Sequence, residues 1–254
     1  MILYFSATGN TKYCAEYIAS RTKDTIISLN DLMKGEVLSL NCEGAERLGI
    51  FVPVYDWDLA YSVAEFLEGF RFENLHNDCY VYGLFTCGSN GGIADETLRE
   101  ILRRKNITLN AAFTVSMPDN YVLMFKTESP ERRIKHLSDA DTSLKEFAED
   151  ISAKRQVQKL TRNPPKIFVK LVRRFFMPSQ RRVKGFTVND DCIGCGLCAK
   201  VCPMNIIELK DNRPVWTKDN CACCLGCLHR CPKKAINRGK SAKNGRYINP
   251  NVSL

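Results

Sequence analysis

Between Cys192 and Cys231 the chain places eight of its thirteen cysteines at a spacing that occurs twice. The first run is Cys192, Cys195, Cys198 and Cys202, followed by Pro203; the second is Cys221, Cys224, Cys227 and Cys231, followed by Pro232. Two residues between successive cysteines let one tight turn present three thiolates together. Gly194, Gly196 and Gly226 let the backbone come close and aim its N–H groups at whatever the thiolates hold. Soft thiolates at this density select iron–sulfur clusters over hard cations. A zinc site asks for two separated pairs and stops there, with no third cysteine at the same interval and no following proline. A disulfide staple asks for an oxidising compartment, which nothing in the composition indicates.

The doubled run resembles the two-cluster 4Fe–4S ferredoxin domain of bacteria, over about the last quarter of the chain. That resemblance implies a crossed ligand set. Cys192, Cys195 and Cys198 would share one cluster with Cys231, and Cys221, Cys224 and Cys227 would share the other with Cys202.

The opposite end of the chain reads differently. Ile2 to Phe5 is a short apolar run suited to a buried strand. It leads through Ser6-Ala7-Thr8-Gly9-Asn10-Thr11 into a helical pattern at Tyr13, Cys14, Tyr17 and Ile18. A strand, a hydroxyl- and glycine-rich turn and a helix N-terminus together make a phosphate site, because unpaired N–H groups and the helix dipole both favour an anion. Apolar runs at Asp24–Leu29, Arg47–Val54, Asp78–Phe85 and Asn110–Met117 predict four further strands alternating with helices. Ser129-Pro130 caps a long helical stretch. This predicts an α/β fold with a doubly wound five-stranded parallel sheet, followed by a small domain carrying the cysteine runs.

The turn resembles the phosphate loop of flavodoxins, and residues 1 to about 155 resemble a flavodoxin-like FMN domain. The resemblance implies the strand order 2-1-3-4-5, and that Ser6, Thr8, Gly9, Asn10 and Thr11 hold the FMN phosphate. Tyr55 or Trp57 would stack on the ring system, and the Thr86-Cys87-Gly88-Ser89-Asn90-Gly91-Gly92 loop would close its other side. Tyr121 is a candidate second stacking face, since the third loop lacks an aromatic residue. Cys87 stands in that loop, yet reads first as a small buried thiol; Cys14, Cys42, Cys79 and Cys223 read as structural in the same way.

The expected organisation is a flavodoxin-like domain at 1–160, a basic linker helix at 161–185, a ferredoxin-type domain at 186–240 and a loosely held basic tail from Arg238, with 241–254 outside the domain. Residues 161–186 carry eight Lys and Arg and no Asp or Glu. Within them Ile167, Phe168, Val169, Leu171, Val172, Phe175 and Phe176 fill one helical arc. That arc predicts a helix ending at Met177-Pro178 that packs between the domains, with a peripheral membrane surface or an acidic redox partner as other uses of 166–176. Each oxidised cubane brings about two negative charges, so much of the formal net charge of +9 offsets the clusters; no nucleic-acid motif accompanies it. His76 and His136 read as surface residues, His229 as a non-ligand, and no Ser–His–Asp arrangement is evident. With no transmembrane run and no leader pattern, a cytoplasmic location is expected. The match to flavodoxin–ferredoxin fusions implies electron transfer between FMN, two 4Fe–4S clusters and redox partner proteins. Direct oxidation or reduction of a small substrate or a nicotinamide is the rival reading.

Overall fold

The computed structural model describes residues 1–254. In chain order the N-terminal part runs β1 (Ile2–Tyr4), α1 (Asn10–Thr22), β2 (Ile26–Ser28), α2 (Leu29–Lys34), β3 (Ser39–Asn41), β4 (Arg47–Tyr55) and β5 (Asp58–Leu59). It continues with α3 (Tyr61–Gly69), β6 (Arg71–Glu73), β7 (Tyr80–Cys87), α4 (Ala94–Arg103), β8 (Ala111–Ser116), α5 (Pro130–Ser152) and β9 (Gln158–Lys159). The main sheet has the order β2-β1-β4-β7-β8-β9, all parallel, with the short β5 antiparallel to β4. Its first five strands are the predicted set in the predicted order. The edge strand β9 and the hairpin strand β5, at two residues each, are too short to leave an apolar run.

Both faces of the sheet are covered, which is why β7 is buried at every position and reads as a continuous apolar run. Side-chain alternation assigns neighbours to opposite layers. Leu3, Ile50 and Val81 pack in the layer that also holds Val63 and Leu67 of α3 and Leu98 and Ile101 of α4. Ile2, Phe51 and Tyr82 pack with Ile18 of α1 and Leu144 and Phe147 of α5. Ser129 caps α5 by accepting from the Arg132 N–H, as Ser-Pro at a helix start favours.

The C-terminal part comprises α6 (Lys166–Gln180), β10 (Phe186–Val188), α7 (Leu197–Lys200), β11 (Ile207–Lys210), β12 (Arg213–Trp216), α8 (Gly226–His229), β13 (Ile236–Arg238) and α9 (Ser241–Asn244). Two antiparallel pairs, β10 with β13 and β11 with β12, bracket the two cysteine runs. Its small core of Cys198, Cys202, Ile206, Ile207, Leu225, Leu228 and Ile236 also takes in Val122 from the loop after β8. The two parts are further tied by Lys34, which donates to the Ala199 carbonyl at 3.1 Å and to Asn205 at 2.8 Å.

Three expectations are corrected. The helix α6 runs past Met177-Pro178 to Gln180, with Pro178 inside its last turn, where the missing N–H costs one i→i−4 bond near the helix end without ending the helix. It also does not bury its apolar arc between the domains. Val169 and Met177 pack inward, while Ile167, Phe168, Leu171, Phe175 and Phe176 are exposed. Arg173, from the supposedly polar side, faces inward and pairs with Asp58 at 3.2 Å. The tail is likewise not loose: Tyr247 and Asn249 are each 1% exposed. Isolated polar residues with no periodicity carry no sequence signal, and their shared side-chain partner, Asn10, lies more than two hundred residues away.

Candidate functional site: a shared cavity and two cysteine sets

The loop between β1 and α1 is held from three sides. Gly9 adopts φ 99°, and a Cβ there would lie 2.6 Å from Cγ2 of Val252, so glycine is needed both by the turn and by the tail packed on it. The Ser6 hydroxyl accepts from the Gly9 N–H at 3.1 Å. Thr11 and Thr86 share a hydroxyl hydrogen bond at 2.8 Å, tying the first loop to the end of β7. Asn120 Nδ2 donates to Thr8 Oγ1 at 2.7 Å. The N–H groups of the first turn of α1 have no acceptor within the helix, as at any helix start.

These loops line one cavity of about 560 Å³, within the range usual for cofactor sites. At one end stand Ser6, Thr8, Asn10, Thr11 and Thr86; Tyr55, Trp57, Cys87, Gly88, Asn90 and Tyr121 line it further along. Phe168, Val172, Phe176 and Gln180 of α6 form another wall, and Cys223, Cys224 and Leu225 of the second cysteine run complete it. Of the predicted flavin-site residues, Gly9 and Gly91 stand outside this lining. Gly9 faces the tail, and the Gly91 N–H donates to the Thr161 carbonyl at 2.8 Å, which anchors the start of α4. Sequence reasoning missed Asp56, Asn120, Gln180 and the α6 side chains, whose roles depend on long-range packing. Cys223 carried a signal, a non-ligand cysteine inside a ligand run, that spacing alone reads as filler.

Asp56 and Trp57 form the two-residue turn joining β4 and β5, with φ 51° and 59°. Left-handed backbone at a bulky residue costs on the order of 1–3 kcal/mol and persists where surroundings enforce it. Here the Trp57 carbonyl accepts from the Ile93 N–H at 2.8 Å, and a Cβ on Gly92 would collide with that same carbonyl. The Trp57 ring meets Phe168 edge-on at 5.9 Å. Two acceptors at the cavity, Asp56 Oδ2 and Asn90 Oδ1, are buried with no partner in the chain. Burial pushes the Asp56 carboxyl upward, against the Gln180 hydrogen bond and the Arg173 charge. Burial likewise pushes the Cys87 thiol up to about 12, making it a packing residue rather than a nucleophile.

The cysteines gather in two sets. A smaller cavity is lined by Cys192, Cys195, Cys198 and Cys231, the crossed set expected for one cluster. Cys221, Cys224 and Cys227 are half-buried; burial is the first cause raising each thiol's pKa, and Cys202 is among the neighbours that raise all three further. The two runs fold alike: Gly194 and Gly196 have φ 65° and 72°, and Cys223 and Leu225, at matching places in the second run, have φ 51° and 59°. Gly226 opens α8 instead, its Cβ position 3.7 Å from that of Ala7. The second run therefore abuts the N-terminal loop, and Cys224 also packs against the core layer that includes Tyr55. Amide N–H groups of Cys223 and Ala235 point at Cys221 and Cys231 sulfurs, each at 3.3 Å.

A closed ring of hydrogen bonds joins cysteine run, loop and tail. Tyr247 N–H donates to His229 Nδ1 at 3.1 Å, which leaves the Nε2–H to donate to the Asn120 carbonyl at 2.9 Å. Asn120 holds Thr8, whose carbonyl accepts from the Asn249 N–H at 2.8 Å. Asn249 Nδ2 and the Tyr247 hydroxyl both donate to Asn10 Oδ1, at 3.1 and 2.6 Å. Burial lowers the His229 pKa to about 4, in keeping with a neutral ring. His136 is also not a surface group: it bridges Ser116 Oγ at 2.7 Å and Glu128 at 3.2 Å. Ser116 in turn donates to the Gly88 carbonyl at 3.0 Å. A Ser–His–Glu chain thus exists, but neither Ser116 nor His136 lines the cavity.

Residues 1–106 match the profile of a flavodoxin domain. Residues 191–236 match a 4Fe-4S dicluster domain, and a second dicluster profile matches 155–207. Over 50 residues, 18% of this chain and 83% of the other, the sequence is 38% identical to a ferredoxin of Methanothermococcus thermolithotrophicus. Among solved structures, the rubredoxin oxygen:oxidoreductase of Desulfovibrio gigas is similar at a TM-score of 0.36 and 16% identity, over 60% of this chain and 36% of that one. A flavodoxin from the domain Archaea is similar at a TM-score of 0.33 and 17% identity, over 59% and 96%. The matched domains define an FMN and iron–sulfur redox protein. With the flavodoxin domain first and the dicluster domain after it, the chain is a flavodoxin–ferredoxin fusion, its cofactors FMN and two 4Fe–4S clusters.

Proposed function

We propose that the chain is an electron relay between FMN and redox partner proteins. One observation carries the reading: the cavity lined by Ser6, Thr8, Asn10 and Thr11 of the proposed phosphate loop is also lined by Cys224, a proposed ligand of the second cysteine set. FMN exchanges electrons singly or in pairs, whereas each cluster exchanges one. Ser6, Thr8, Asn10 and Thr11, with the N-terminus of α1, would hold the phosphate. Asn90 Oδ1 and Asp56 Oδ2, buried without partners, would accept from N–H groups of the ring system, and these acceptors fit the group in that respect. Tyr55, Trp57 and Tyr121 offer aromatic faces, and Phe168, Val172 and Phe176 exclude water. Cys202, Cys221, Cys224 and Cys227 would place one cluster against this wall. Cys192, Cys195, Cys198 and Cys231 would hold the other near the surface, where Cys195 is exposed and a partner can approach. The domains proposed for these tasks are 1–160 and 186–240, joined by 161–185.

Anaerobic purification followed by iron, sulfide and flavin quantitation tests the scheme. About eight irons and one FMN per chain are expected. Full iron with no flavin uptake would remove the flavin route, and sustained NAD(P)H oxidation by the isolated protein would replace the relay with a direct oxidoreductase.

A further inference from the structure

The helix α6 turns an apolar ridge to water. Ile167, Leu171 and Phe175, one turn apart, are 73%, 51% and 73% exposed, with Phe168 and Phe176 beside them at 46% and 48%. Met124 and Phe125, which line the same cavity as Phe168 and Phe176, are also exposed. Apolar residues scattered singly over a surface need no explanation, but a continuous ridge marks an interaction site. The charges around it divide into two groups. Lys166, Arg173 and Arg181 are paired with Glu96, Asp58 and Glu65 of the N-terminal part. Lys170 and Arg174, a turn apart on the flank of the ridge, are exposed and have no acidic partner among the ion pairs.

We infer that α6 docks the protein on an anionic membrane surface, lying in the plane of the headgroups with Ile167, Leu171 and Phe175 in the acyl boundary and Lys170 and Arg174 at the lipid phosphates. An in-plane helix with Phe, Leu and Ile on one side and Lys and Arg beside them is the arrangement that binds such an interface. No helix is long and apolar enough to cross a bilayer, so the contact is peripheral. A lipid surface suits the ridge better than a protein partner. The ridge is convex and a few side chains wide, whereas a stable protein interface uses about 20–30 residues a side; a bilayer conforms to a ridge. Ile167, Leu171 and Phe175 stand outside the cavity lining, so the inference drawn from them is independent of whether the cavity takes FMN.

The test uses the full chain, purified anaerobically, in sedimentation with phosphatidylcholine vesicles with and without phosphatidylglycerol. Binding is expected only to the vesicles containing phosphatidylglycerol and should weaken as salt rises. The double variant Ile167→Glu, Phe175→Glu, at positions outside the cavity lining, should lose binding by at least about tenfold while keeping its iron content and visible spectrum. Wild-type protein left in the supernatant at low salt would overturn the proposal and leave the ridge to an acidic protein partner. Equal sedimentation of the double variant would overturn it as well.

Discussion

Tyr247 and Asn249 direct their side chains at one acceptor, Asn10 Oδ1, and so fix a residue of the proposed phosphate loop from the far end of the sequence. Replacing Tyr247 by Phe removes a buried hydrogen bond worth about 1 kcal/mol. FMN affinity, read by flavin fluorescence during titration, should fall roughly 3- to 10-fold with iron content unchanged. A second residue-scale prediction concerns Asp24, which accepts from the Met1 ammonium at 2.9 Å and from Arg47 at 3.1 Å. Burial alone would raise its pKa, but the hydrogen bonds from the N-terminus and Thr22 and the contact with Arg47 outweigh burial and hold it below the usual carboxylate value. A depressed folded-state pKa stabilises fully above the unfolded-state value, and the contribution is lost as pH falls through the folded one. Urea midpoints measured from neutral to acid pH should therefore drop less steeply for Asp24→Asn than for the wild type; parallel curves would contradict this.

At the level of elements, the sheet is the most rigid commitment the chain makes. Phe113 of β8 is fully buried and meets Phe147 of α5 at 4.8 Å between ring centroids. Phe113→Ala should cost about 3–5 kcal/mol, seen as a lower denaturant midpoint with little change in slope. The five principal strands were legible because burial on both faces writes itself as apolar runs such as Tyr80–Phe85. The strand, glycine turn and helix that make up the proposed phosphate loop were legible because they are contiguous in the sequence. The surface placement of α6 was not, since an apolar arc has the same periodicity whether it meets protein, lipid or water. The ring through His229, Asn120 and Asn249 was illegible for a related reason: each member is a lone polar residue, and only the fold brings them together.

For the whole molecule, the two cysteine sets should respond unequally to mutation. Cys224→Ser removes a proposed ligand that also lines the cavity, so iron should fall from about eight to about four per chain, and FMN binding should weaken as well. Cys195→Ser, at the exposed cysteine of the other set, should lower iron similarly and leave FMN affinity at the wild-type value. Flavin titration beside iron analysis separates the two outcomes; equal effects on FMN would contradict the shared wall. The same connectedness orders biosynthesis. Residues 1–160 leave the ribosome first and can form their sheet early, yet Gly9 and Asn10 obtain their packing from Tyr247, Asn249 and Val252. Flavin capture by the nascent chain should therefore lag behind folding of the sheet until these late residues have emerged, so that a chain extended past Val252 is the first species able to close the proposed phosphate loop.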